Sequence, residues 1–158
     1  MSDIESIPER WTMAWSSKDP SGFSSLFSPD AKYIDHSFQF ETTHLEQHHR
    51  IWHRANPDFT VWLDPSMPVW WASVDKEQGN ASVCFRTIQT GTFTGNLPSR
   101  NASGKAWRFP AMVQMTIENG LIVELNEFYR EQFDQGVGVE NYMRIDDKRE
   151  LINMGKED

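Results

Sequence analysis

The chain has 158 residues, a net charge of −8, a pI near 5.1 and one cysteine, Cys84, a length and thiol count that predict a single domain and exclude an internal disulfide framework. Its acidic balance, with no dense Lys/Arg cluster, would repel a phosphate backbone and excludes nucleic acid as a partner. No apolar run approaches the ~20 residues of a bilayer span, and Met1 to Arg10 lacks the basic start and apolar stretch of a leader, so a cytoplasmic protein without membrane contact is expected.

Ile4, Ile7, Trp11, Ala14 and Trp15 recur at helical spacing and predict a first helix over residues 4–16. Asp19-Pro20 offers a cap followed by a first-turn proline. Phe23, Leu26 and Phe27 then supply a short second helix, ended by the turn residues Ser28-Pro29-Asp30. From Lys32 to Phe40, Tyr33, Asp35 and Ser37 alternate with Ile34, His36 and Phe38, a strand period. Thr43 and Glu46 match a capping box for a helix running to about Ala55, with Leu45, His48, His49 and Trp52 on or beside its inner face.

Beyond Asp58 the pattern predicts strands only: Phe59 to Leu63, then Val69 to Val74 after the prolines at 65 and 68. A turn at Glu77 to Asn80 leads into Ala81 to Phe93, a polar loop from Thr94 to Lys105, and a strand from Ala106 to Glu118. Asn119-Gly120, the strongest hairpin signal in the chain, opens Leu121 to Glu131. After Phe133, scattered apolar residues from Val137 to Ile152 predict a last helix. Helices first, then a strand, a helix and an antiparallel meander define an α+β domain with helices on one face of a curved sheet. There is no internal repeat or linker, so residues 1–158 read as one domain.

Several stretches together resemble the SnoaL-like polyketide cyclases of the nuclear-transport-factor-2-like superfamily. They are Leu26 to Tyr33 (Leu-Phe-Ser-Pro-Asp-Ala-Lys-Tyr), Asn56-Pro57-Asp58-Phe59, Thr90-Gly91-Thr92-Phe93-Thr94-Gly95, Ser103-Gly104-Lys105 and Asn119-Gly120-Leu121-Ile122-Val123. The likeness covers about residues 5–131 and leaves 132–158 as a C-terminal extension. It implies a cone-shaped fold, a curved antiparallel sheet with N-terminal helices enclosing a pocket, and a homodimer formed through the outer sheet face. The Trp-rich middle and the His48-His49 pair are most similar to a fungal secondary-metabolism branch. That branch implies a cofactor-independent enzyme that isomerises, cyclises or dehydrates a hydrophobic polycyclic intermediate, polyketide- or terpenoid-like. The superfamily also includes non-catalytic carriers and adaptors, and fold does not imply function.

Strand parity nominates the site. Val123, Leu125, Glu127 and Tyr129 share one face, where a carboxylate in apolar company would be raised towards the range useful to a general base. Related limonene-epoxide-hydrolase-like members place an acidic residue at this point. The alternative is a bulge that reverses parity and leaves Glu127 a solvated charge. Tyr33 and Asp35 would hold a substrate oxygen or a water, unless Asp35 caps a local turn before Ser37. Arg86, in a central strand, must find a partner, and Glu127 or Asp35 would place it to stabilise developing negative charge.

Two positions depart from the resembled patterns. Ile88 stands where epoxide hydrolysis needs Asp, and Phe93 stands where the cyclases often carry His. One of His48 and His49 is expected to reach the pocket as a proton shuttle; we assign His49 to the chemistry and His48 to the wall. The pairs His44/His48 and His49/His53 have metal-binding spacing but no third ligand, and no metal is predicted. Seven Trp and ten Phe in a chain only 38% hydrophobic suit a core and equally a pocket for a flat apolar ligand. Trp15, Trp52, Trp107, Phe109 and Tyr129 are the candidate walls. No Gly-x-Ser-x-Gly elbow is present, and Gly136-Val137-Gly138 lacks the third glycine of a dinucleotide fingerprint, so no nucleotide cofactor is predicted.

Overall fold

The computed structural model describes residues 3–98 and 100–129. The last helix expected after Phe133, and the extension 132–158 with it, lie outside the described residues. Asp3 accepts from Glu5 N and caps a single 3-10 turn, Ile4–Ser6, that runs into α1, Ile7–Ser16. Ile7, Trp11 and Trp15 fall on one buried stripe of this helix, as their spacing predicts. Asp19 accepts from the amide and hydroxyl of Ser21 and caps α2, Pro20–Ser24.

The second helix is shorter than predicted, because Phe27 already begins β1, Phe27–Asp35. Ser28-Pro29-Asp30, expected as a turn, lies inside this strand. The ladder to β7 (Leu121–Phe128) jumps from the pair Phe27 and Ile122 to the pair Lys32 and Glu124, so the stretch arches out and Pro29 forfeits no ladder bond. The strand expected to continue to Phe40 folds back at Asp35 through a turn over residues 36–39, and β2, Phe40–Thr42, returns antiparallel. In the helix that follows, α3, Leu45–Ala55, the predicted capping box does not form. His44 holds the cap position without a side-chain bond, and Glu46 instead pairs with Arg50 at 3.0 Å.

The remaining strands are β3, Thr60–Leu63, β4, Trp70–Asp75, β5, Asn80–Thr92, and β6, Ala106–Glu118. Asn119 and Gly120 both take positive φ, 52° and 76°, as a tight hairpin between right-twisted strands requires. The sheet runs β2-β1-β7-β6-β5-β3, with β4 also on β5. It is mixed rather than wholly antiparallel, because β1 runs parallel to β7. Helices α1 and α3 cover the concave face, and the core of Trp11, Phe23, Phe85, Val113, Met115 and Leu125 fills the space between.

One glycine is set by close approach. A Cβ on Gly91 would lie 2.7 Å from the Trp107 ring and 3.3 Å from Asn56. The Trp107 indole N–H donates to Asn56 Oδ1 at 2.9 Å, so neither neighbour is free to retreat. Gly91→Ala should therefore lower stability by about 1–3 kcal/mol, the usual cost of overpacking, measured by chemical denaturation.

Candidate active site

The parallel pairing of β1 and β7 sets Asp35 beside Glu127 in direct register, with Tyr33 beside Leu125. A bulge does interrupt β7, at Val123, where the ladder to β6 skips from the pair Ile117 and Ile122 to the pair Thr116 and Glu124. It falls before Leu125, so Leu125 and Glu127 keep the inward parity read from the sequence. Each of the two carboxyl residues is only 4% exposed.

Asp35 is held by two donors. Its Oδ1 accepts from the Phe38 amide at 2.8 Å, and its Oδ2 accepts from the Tyr129 hydroxyl at 2.6 Å. Of the two sequence alternatives the local turn cap is thus realised, while the second oxygen is taken by Tyr129. Tyr129 is itself fixed by Ser37, whose hydroxyl donates to the Tyr129 carbonyl and accepts from its amide. Burial pushes the Asp35 carboxyl up from the usual range, while Tyr129 and the amides of Phe38 and Ser37 pull it back.

Glu127 has less support. Burial, and then the neighbouring Asp35 charge, push it up to about 8 against Gln89, whose Nε2 lies 3.2 Å from Oε2, and, less, Tyr33. The Tyr33 hydroxyl is fully buried beside Glu127, and its contact falls outside ordinary hydrogen-bond geometry. Burial and the two acids hold that phenol well above its ordinary range. Both carboxyls are raised, and Glu127, lifted further and with fewer donors, is the member of the pair that holds a proton more readily.

A cavity of about 400 Å³ opens above Asp35, between the β1–β2 turn, α3 and the segment at Leu97 and Pro98. Phe38, Phe40, Ile51 and Trp52 make its apolar walls, and His48 and Thr42 add polar groups. A larger groove of about 510 Å³ beside Phe27, Thr43 and Arg50 reaches neither carboxylate. Its size does not make it the site.

The two histidines part company because adjacent residues on a helix point about 100° apart. His48 lines the cavity and rests on Tyr33 with ring centres 4.6 Å apart. His49, expected in the chemistry, is turned instead into the helix layer, packed between Trp15, Phe23 and His53. Burial pushes each ring down to about 4, so both are neutral at pH 7. Trp15, expected as a wall, is stacked on Phe23 in the same layer at 4.7 Å and does not line the cavity.

Of the other expected walls, Trp52 lines the cavity, whereas Trp107 and Phe109 do not. They form a stacked row with Tyr129, at centroid spacings of 4.7 and 4.9 Å, that braces the phenol on Asp35. Tyr129 likewise touches the site through its hydroxyl rather than as cavity wall.

Arg86 requires the largest correction. Phe85, Thr87 and Gln89 face the core, so Arg86 projects from the opposite side of β5, where its Nε meets Asp64 Oδ2 at 2.8 Å. The partner demanded by its charge exists, but on the outer face. Arg86→Met should lower the melting temperature by exposing Asp64 unpaired and leave turnover at the wild-type value, measured in parallel.

Gln89 and Thr87 were not among the sequence candidates. Both are buried, at 2% and 0% exposure, and the signal was available: they share the parity of Phe85 in a strand whose core face is otherwise apolar. Among the described residues no three His, Cys, Asp or Glu side chains gather as a metal site, and no helix is long and apolar enough to cross a membrane.

A curved mixed sheet covered by helices, with a cavity that opens onto Asp35, is an α+β fold of the ketosteroid isomerase and nuclear-transport-factor-2-like type. The family model of the SnoaL-like domain matches residues 9–125, and the chain belongs to that family. No curated protein matches it significantly. Among solved structures, it is similar to a hypothetical protein with a ketosteroid isomerase-like fold from Catenulispora acidiphila DSM 44928, in complex with trimethylamine. The TM-score is 0.64 at 14% identity, over 91% of this chain and 99% of that one. PrhC from Penicillium brasilianum NBRC 6234 aligns with a TM-score of 0.64 at 12% identity, over 84% and 83% of the two chains. A candidate SnoaL-like polyketide cyclase from Jannaschia sp. CCS1 aligns with a TM-score of 0.61 at 18% identity, over 80% and 83%. At these identities the likeness is one of fold.

Proposed function

We propose that the protein is a cofactor-independent acid–base enzyme of the isomerase, cyclase or dehydratase type, acting on a hydrophobic polycyclic intermediate of polyketide- or terpenoid-like character. The observation that carries this reading is the in-register pair of buried carboxyls, Asp35 and Glu127, of which Asp35 opens onto an apolar cavity and Glu127 lies behind it. A titratable pair with one member on an open cavity favours an enzyme. A cavity filled by the protein's own aromatics would have favoured a carrier or adaptor. Membership of the SnoaL-like family and the description of the Jannaschia protein support the cyclase side of the reading.

The roles within the pair differ from those read in the sequence. Asp35 lines the cavity and is held by donors that favour its charged form, so it is the base; Glu127, raised further, is the acid. A proton leaves a carbon beside a substrate carbonyl for Asp35, and the electron pair moves onto the carbonyl oxygen. Once Asp35 is neutral, the repulsion that helped raise Glu127 disappears, and Glu127 can release its proton to that oxygen through Tyr33. Return of the proton from Asp35 to a different carbon, while the enol oxygen hands its own proton back through Tyr33 to Glu127, completes an isomerisation. Where a hydroxyl stands β to the carbonyl, its departure as water with the proton from Asp35, as the enol oxygen reprotonates Glu127, completes a dehydration.

Carbon–hydrogen exchange tests this without the natural substrate. Polycyclic aryl ketones incubated in D2O should gain deuterium beside the carbonyl faster with wild type than with Asp35→Asn. Equal exchange by the two proteins across such a panel would remove the reading.

A further inference from the structure

Burying an amide and a hydroxyl in a core strand costs free energy unless both find partners. On β5, Gln89 and Thr87 are such a pair, and their bonds lead to the acid. The Gln89 amide donates to Thr87 Oγ1 at 3.3 Å and to Glu127 Oε2 at 3.2 Å. Strand β6 lies between β5 and β7, and its Ala111, opposite Thr87, is small enough for the longer amide side chain to reach across. The remaining polar groups around Glu127 are Asp35 and Tyr33 from β1 and Tyr129 after β7, with His48 of α3 resting on Tyr33.

An amide nitrogen only donates, so the oxygen that it meets must accept. The carbonyl oxygen of a neutral carboxyl is its stronger acceptor, so in neutral Glu127 this donor favours Oε2 as the carbonyl oxygen and Oε1 as the one that carries the proton. We propose that Gln89 is a positioning residue for the acid–base reaction, holding Oε2 of Glu127 as an acceptor so that the proton is presented on Oε1, to Tyr33 and Asp35. The inference rests on the acid–base reading of the site. It gives the buried amide a function that core filling does not.

The test reads Glu127 itself. In the full chain with carbon-13 in the Glu carboxyls, the resonance of Glu127 is identified by its absence in Glu127→Gln and followed against pH. Infrared difference spectra report the carbonyl stretch of its protonated form. Gln89→Leu removes the donor that favours the charged form, so the midpoint should rise by about one pH unit or more, and the freed carbonyl should absorb at higher frequency. Thr87→Val, near-isosteric, loosens the amide and should move both readouts the same way by less; it decides the matter if Gln89→Leu does not fold. A midpoint and stretch unmoved in these variants, even with a lower melting temperature, would reduce Gln89 to a structural filler. An inactive Glu127→Gln beside an unmoved midpoint removes only the role of Gln89. A fully active Glu127→Gln removes the acid–base reading while the titration still reports on the hydrogen bond.

Discussion

Glu127→Gln should cut turnover by about 10²–10⁴-fold, the usual contribution of a general acid or base, while the protein melts no lower than wild type at neutral pH. The replacement keeps size and shape. Its amide oxygen still accepts from Gln89, and its NH2 takes the place of the acid proton towards Tyr33 and Asp35. What it loses is the ability to give the proton up. Had Glu127 been paired with Arg86, as its charge suggested, the change would have left a buried cation and cost about 3–5 kcal/mol. Because Arg86 pairs with Asp64 on the other side of the sheet, no such loss is expected. Asp35→Asn should be as inactive but less clean, since an amide cannot accept equally from both the Phe38 N–H and the Tyr129 hydroxyl, and its melting temperature should fall. Normal melting and wild-type turnover in Glu127→Gln would remove this residue from the mechanism.

Between pH 6.5 and 8 the wild-type protein should lose stability relative to Glu127→Gln as pH rises, by about 2 kcal/mol, the linkage value for one group over that interval. Glu127 titrates near 8 in the folded chain against 4.5 for an unperturbed Glu, so the folded state binds more protons between those values. Its contribution is fully present below about 4.5 and is lost as pH climbs through 8. The buried histidines act in the opposite sense. His48 and His49 are held near 4 against 6.5, and His53 is lowered too, so the unfolded chain takes up their protons first and stability rises towards 6.5. The two effects oppose each other up to about one unit above 6.5, where the histidines of the unfolded chain have lost their protons; beyond that, Glu127 alone of these groups is left. Between pH 6.5 and 8 the melting temperature of Glu127→Gln should therefore rise, as the histidines alone dictate, and that of wild type should fall relative to it. An equal slope in both proteins would place the titration elsewhere.

Local pattern was enough for much of this molecule. Helical spacing of Ile7, Trp11 and Trp15 placed the first helix, Asn119-Gly120 placed the last hairpin, and two-residue alternation put Tyr33 with Asp35 and Leu125 with Glu127 on inward faces. These features arise from neighbours within a few residues, where backbone geometry translates directly into sequence period. The same period could have nominated Gln89 and Thr87, polar residues at core parity.

Other properties depend on which distant segments meet. Alternation names the face of Asp35 and of Glu127 but not the strand beside each, so the parallel pairing that joins them appears only when β1 and β7 come together. A charge in a strand announces that it needs a partner, not on which face; Arg86 found Asp64, carried to the outer side by the chain leaving β3. His48 and His49 are adjacent in sequence, and only the packing of α3 on α1 and α2 decides that one sees the cavity and the other the helix layer. The roles proposed for base and acid likewise rest on burial, on access to the cavity and on the donors that meet each carboxyl, which are properties of the assembled interior. Sequence period fixes direction along one element, whereas proximity, desolvation and charge pairing exist only between elements, and the tertiary structure alone decides them.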